Sequence, residues 1–248
     1  MQAIARQFNL SETTFIFPAN AAAPEATALV RIFTPSYELP FAGHPTLGTA
    51  HVCRALGLGG DSLSLQMQAG VIPVSAVQDR WTLIANTGVA REVQESRAAL
   101  AAALGLEETD IGKRPLWIDS GTEQLIVPLN SERAVRQASP DAAKLSLIRN
   151  KDGKGMAYLF NVGKDGKTLA RFFFPQGAAM LEDPATGSAT ANLGGWWVAM
   201  NKPLPGSLTI AQGEYVSRPS TLHLEISADR QVSVSGEVID VGQGSFDV

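Results

Sequence analysis

His44-Pro45-Thr46-Leu47-Gly48-Thr49-Ala50 and Asp183-Pro184-Ala185-Thr186-Gly187-Ser188-Ala189 are one heptapeptide pattern met twice in a chain of 248 residues. The two align without a gap. Each follows a matching strand ending, Arg31-Ile32-Phe33-Thr34-Pro35 before the first and Arg171-Phe172-Phe173-Phe174-Pro175 before the second. Self-similarity of this kind marks a duplicated unit.

The physics of the repeated segment suggests a site. Proline fits the first turn of a helix, because its missing N–H would have had no intrahelical partner, and the residue before it then stands at the N-cap. His44 and Asp183 are therefore expected N-caps. Small residues in the first turn (Gly48, Thr49, Gly187, Ser188) leave backbone N–H groups uncovered, and with the positive end of the helix dipole they form an anion seat. Two such seats could grip a small carboxylic acid. Alternatively, Asp before Pro is only a cap, and the small residues only permit close packing.

Working outward, residues 1 to 9 read as the end of a helix stopping near Asn9, and Thr13 to Phe17 as a strand, which puts Glu12 at a helix-to-strand junction. Ala28 to Phe33 is a strand and Pro45 to Leu56 a helix closed by Gly57. Leu63–Met67, Val71–Val77 and Trp81–Ala85 read as antiparallel hairpin strands. Ser96 to Leu104 is a helix ended by Gly105, and Gly112-Lys113-Arg114-Pro115 is the expected boundary, giving lobes of residues 1–112 and 113–248. Strands at Gln124–Leu129, Met156–Val162, Thr168–Phe174, Leu222–Ile226 and Val232–Val241, with helices at Asp141–Arg149 and Pro184–Met200, complete the second lobe. This is a mixture of α and β without a βαβ series.

With 45% hydrophobic and 18% charged residues, the composition is that of a globular enzyme. A net charge of −4 with scattered Lys and Arg offers nothing to nucleic acid or an anionic membrane. No apolar run reaches the ~20 residues of a membrane span, no signal peptide is visible, and one cysteine, Cys53, cannot form an intramolecular disulfide. A cytoplasmic protein with a small-molecule partner is expected. His44 and His51 are seven apart rather than the i,i+4 of a helical metal pair, His223 sits in a strand pattern, and Gly57-Leu58-Gly59-Gly60 lacks the context of a dinucleotide fingerprint. Neither metal nor cofactor is expected, and Cys53, inside a helix, reads as core.

Asn9-Leu10-Ser11-Glu12-Thr13, Phe33-Thr34-Pro35, Glu38-Leu39-Pro40-Phe41-Ala42-Gly43-His44-Pro45-Thr46 and Glu182-Asp183-Pro184-Ala185-Thr186-Gly187-Ser188-Ala189 resemble the signature segments of the PhzF-like family. The resemblance runs in order over nearly the whole chain. It implies an α+β, diaminopimelate-epimerase-like fold, with two pseudo-symmetric lobes each wrapping a mostly antiparallel sheet around a central helix. It also implies a cofactor-independent isomerase that moves a proton between carbons of a small, cyclic carboxylic acid. Glu12 would be the general acid/base, His44 and Asp183 would orient the substrate, and backbone at Gly43, Gly187 and Ser188 would hold its carboxylate. A carboxylate suits this work if partial burial raises its pKa toward neutrality. Gln212-Gly213 with Arg218-Pro219-Ser220 resembles a late family turn, read here as a plain strand-entry turn.

One departure from the family pattern and two alternative functions remain. Relative to the family pattern the first lobe looks short at its N-terminus, which would expose a sheet edge, with a homodimer among the ways to cover it. A two-thiol racemase of the same fold would need a cysteine at each helix start, where His44 and Asp183 stand. A non-catalytic binder of a small acid or of a partner protein is the remaining alternative.

Overall fold

The computed structural model describes residues 1–176 and 179–246. The chain divides into two compact units, Met1–Leu83 with Gly236–Val248, and Ile84–Ser235.

In the first unit α1 (Gln2–Phe8) ends on Asn9 in the left-handed conformation (φ 53°), and β1 (Thr13–Pro18), β2 (Ala28–Phe33) and the short β3 (Glu38–Leu39) follow. The helix α2 (Gly43–Ala55) leads to β4 (Ser62–Met67), β5 (Gly70–Val77) and β6 (Arg80–Ile84). β1 runs antiparallel to β2, β2 parallel to β4, and β4, β5 and β6 are antiparallel neighbours. Helix α2 lies against β1, β2 and β4 and buries Leu47, Ala50 and Cys53 among Val30, Ile32, Leu65 and Trp81.

The second unit adds β7 (Val89–Glu92), α3 (Arg97–Leu104), β8 (Leu116–Asp119), β9 (Glu123–Pro128), α4 (Glu132–Gln137) and α5 (Ala142–Leu145). It continues with β10 (Ala157–Val162), β11 (Lys167–Gln176), β12 (Ala179–Asp183), α6 (Gly187–Ala199), β13 (Gly206–Gln212), β14 (Ser220–Ile226) and β15 (Val232–Glu237). Alternation along β8 to β10 divides the core: Leu116, Ile118, Ile126 and Tyr158 face α6, while Trp117, Leu125, Val127 and Leu159 face α3, α4 and α5.

The duplication is visible strand by strand. β1–β2–β4–β5 in the first unit and β10–β11–β13–β14 in the second share one pattern: antiparallel, parallel, antiparallel, with a helix between the second and third strands. A short strand hangs on the second strand each time, with Phe33 opposite Glu38 and Phe173 opposite Glu182. In both copies the arginine two residues before that phenylalanine grips the glutamate bidentately and lies over the phenylalanine ring. Each unit is thus a mostly antiparallel sheet packed on its own helix.

The division of the chain differs from the boundary expected at residue 112. Residues 84–112 belong with the second unit because β7 pairs with β8 and α3 packs on Trp117 and Leu125. The last residues return to the first unit, where the Val238 N–H donates to Asp79 O at 3.0 Å. The helix expected over 141–149 is cut to α5 because Asn150 organises a turn, its Oδ1 accepting from the N–H groups of Asp152 and Lys154.

Cys53 is fully buried in α2, and burial pushes its thiol above the ordinary range. An aromatic disulfide reagent should leave native protein unlabelled and titrate one thiol after denaturation; rapid labelling of native protein would refute the assignment to the core.

Candidate active site

Glu12 stands directly before β1, and the β1–α2 packing brings it to the start of α2: His44 Nε2 lies 3.4 Å from Glu12 Oε2. Thr49 Oγ1, one turn on, is 2.9 Å from Thr14 Oγ1 and fixes the two elements to each other. The Glu12 side chain is only 19% exposed and its Oε2 is shut off from solvent, whereas the His44 side chain is 58% exposed. A screened carboxylate beside an accessible imidazole joins two residues 32 positions apart.

His44 is not the N-cap of α2. The helix begins at Gly43, with Ala42 in extended conformation as its cap, so Gly43 and His44 are the first two helical residues. Gly48 and Thr49 consequently lie inside the helix, where their N–H groups are used, and the anion seat expected there moves back to Gly43 and His44.

Asp183 is not an N-cap either. It is the last residue of β12, opposite Phe172, and α6 begins four residues later at Gly187 with Thr186 as its cap. The strand pairing keeps Asp183 extended, and the following proline disfavours a helical turn at that point. Pro184 therefore lies outside the helix. Asp183 still serves the helix start at one remove, because the Thr186 hydroxyl donates to its Oδ2. Gly187 and Ser188 are the first two residues of α6, so their N–H groups lack intrahelical partners, and a Cβ at Gly187 would meet nothing within 4 Å.

Gln212, expected only in a plain strand-entry turn, does more than that. It closes β13 and is almost fully buried; its Oε1 accepts from Thr186 N at 3.3 Å. Its Nε2 donates to Asp183 O at 2.8 Å and to Thr186 Oγ1 at 2.9 Å. The turn read as mere strand entry therefore binds down the Asp183–Thr186 segment. Alternation along β13, with Leu208, Ile210 and Gln212 buried, was the available signal.

Among the described residues no cluster of three or more His, Cys, Asp or Glu is placed to hold a metal, and no helix is long and apolar enough to cross a membrane.

The chain matches the phenazine biosynthesis-like protein family, PhzC-PhzF, over residues 1–244. It belongs to that family. An uncharacterized isomerase of Pasteurella multocida is 37% identical over 248 residues, covering 99% of this chain and 83% of the relative. A trans-2,3-dihydro-3-hydroxyanthranilate isomerase of Pseudomonas chlororaphis is 35% identical, covering 99% and 87%. The crystal structure of a PhzF-family protein of Bacillus anthracis superposes with a TM-score of 0.81 at 22% identity, over 95% of this chain and 84% of that one. A probable proline racemase of Agrobacterium radiobacter shares the fold at a TM-score of 0.62 and 12% identity, over 99% and 81%. This PhzF-family protein is an isomerase by kinship, with the fold that it shares with the racemases.

Proposed function

We propose that this PhzF-family isomerase moves a proton between two carbons of a small, cyclic carboxylic acid, without a cofactor and with Glu12 as the general acid/base. The observation that supports this most is the pair of a screened Glu12 carboxylate and His44 at 3.4 Å, at the head of a helix whose first N–H groups have no intrahelical partners. In the proposed cycle the Glu12 carboxylate removes a proton from a saturated ring carbon beside a double bond. The C–H electron pair becomes the new π bond, the old π pair shifts to the far allylic carbon, and the Glu12 carboxylic acid returns the proton there. No atom is gained and no electron leaves.

His44 and Asp183 are assigned to orienting the substrate, and Gly43, Gly187 and Ser188 to its carboxylate, which helix-start N–H groups suit. The substrate class follows the compound named for the Pseudomonas relative, a dihydro-hydroxyanthranilate.

Incubation with trans-2,3-dihydro-3-hydroxyanthranilate and related cyclic acids in D2O tests the reading. Turnover should leave deuterium at the newly saturated carbon, and Glu12→Gln should lower the rate by about 10²-fold or more, the usual share of a general acid/base. If acids of this class bind yet parent and Glu12→Gln are equally silent, the non-catalytic binder replaces the isomerase.

A further inference from the structure

Ser188 is joined to the turn at residues 120–122 by a chain of hydrogen bonds whose direction is fixed at its far end by the backbone. Asn192, fully buried one turn along α6, accepts at Oδ1 from the Ser120 N–H at 3.0 Å and donates from Nδ2 to the Thr122 carbonyl at 2.9 Å. A backbone N–H can only donate and a carbonyl can only accept, so the Asn192 amide has one orientation. The same Nδ2 donates to Gln124 at 2.7 Å, so the Gln124 atom facing it is Oε1. The other end of the Gln124 amide is then Nε2, which lies 3.0 Å from Ser188 Oγ and donates to it. Gln124 is itself almost fully buried in β9.

A serine hydroxyl has one proton to give. With Ser188 Oγ accepting from Gln124, that proton is left for another acceptor. Ser188 is half-buried at the second position of α6, where the neighbouring backbone N–H groups also point outward from the helix start. We propose that Gln124 is a positioning residue that makes Ser188 a hydrogen-bond donor, through its side chain as well as its backbone, to the carboxylate of the substrate. This inference rests on the assignment of Ser188 to the substrate carboxylate made above.

Two replacements of the same shape separate polarity from packing. Gln124→Glu keeps an oxygen for Asn192 but presents a second oxygen to Ser188, whose proton then turns inward. Gln124→Met removes both bonds and leaves the Ser188 proton free. Calorimetric titration with anthranilate, 3-hydroxyanthranilate and cyclohexenecarboxylate supplies the readout, with thermal melts showing that each variant is folded.

Gln124→Glu and Ser188→Ala should each weaken binding roughly ten- to a hundredfold, the range of a hydrogen bond to a charged group. The double variant should bind like Ser188→Ala alone, and Gln124→Met, which releases the Ser188 hydroxyl from its hold without turning its proton inward, should weaken binding by less than Gln124→Glu does. The proposal is overturned if Gln124→Glu is harmless, if it weakens binding as much in the Ser188→Ala background, or if Gln124→Met is as damaging. A parent that binds none of the acids, while Gln124 variants fold normally, instead removes the assignment of Ser188 beneath it.

Discussion

Replacing Arg171 by methionine should lower the stability of the protein by about 3–5 kcal/mol, the cost of stranding a buried charge, and its Tm by roughly 10 °C. The Arg171 and Glu182 side chains are only 9% and 8% exposed. The guanidinium also donates from Nη1 to the carbonyls of Val135, Arg136 and Ala138 at the end of α4, and it lies between the rings of Phe173 and Tyr215. Its loss leaves a carboxylate without its countercharge in the interior and three carbonyls without this donor. The double variant Arg171→Met with Glu182→Leu should recover part of the loss, because it removes the stranded charge.

The equivalent variant in the first copy, Arg31→Met, should cost far less than Arg171→Met, since Arg31 and Glu38 are 38% and 20% exposed and solvent screens their attraction. Chemical denaturation of the three variants checks the series. Equal losses at Arg31 and Arg171 would show that burial is not what separates the copies.

Gly213→Ala should be similarly severe, for a steric reason. Gly213 has φ +85°, and a Cβ there would lie 2.2 Å from Arg218 O and 2.7 Å from Pro184 O, both main-chain atoms that cannot swing aside. The left-handed backbone costs a non-glycine residue about 1–2 kcal/mol, and overpacking adds about 1–3 kcal/mol. Because Pro184 follows Asp183 and Gln212 precedes the glycine, any relaxation shifts the segment that Gln212 holds. Isomerase activity of the folded fraction should therefore fall along with the denaturation midpoint. A Gly213→Ala protein with parental stability and turnover would sink the account of this turn.

The sequence made the duplication legible because both copies keep residues whose chemistry is local: a strand ending, a proline and small residues at a helix start. It misplaced the starts themselves. Gly43 as the first residue of α2, and the extended Asp183, depend on β3 and β12, and a two-residue strand such as β3 leaves almost no periodic trace. β7 is exposed throughout and β8 is buried from Leu116 to Ile118, so neither alternates, although β13 did alternate and could have been found. For Glu12 the family resemblance supplied the role, while its nearness to His44 arises from packing across 32 residues. Alternation along β13 marked Gln212 as inward-facing, but the roles of Gln124, Asn192 and Gln212 had no local signature, since a buried amide is defined by partners 26 to 72 residues away.

The return of residues 236–246 to the first unit bears on how the protein is made. Domains usually fold in the order in which they leave the ribosome. Here residues 84–235 form an insertion within the unit that carries Glu12 and His44, and that unit receives Val238 against Asp79 and Asp240 beside His51 only after residues 84–235 have been made. The unit that carries Glu12 is thus completed only by residues made after the whole of the other, and a nascent chain stalled after β15 would hold Ser188 and Asp183 in place before Glu12 has a completed support.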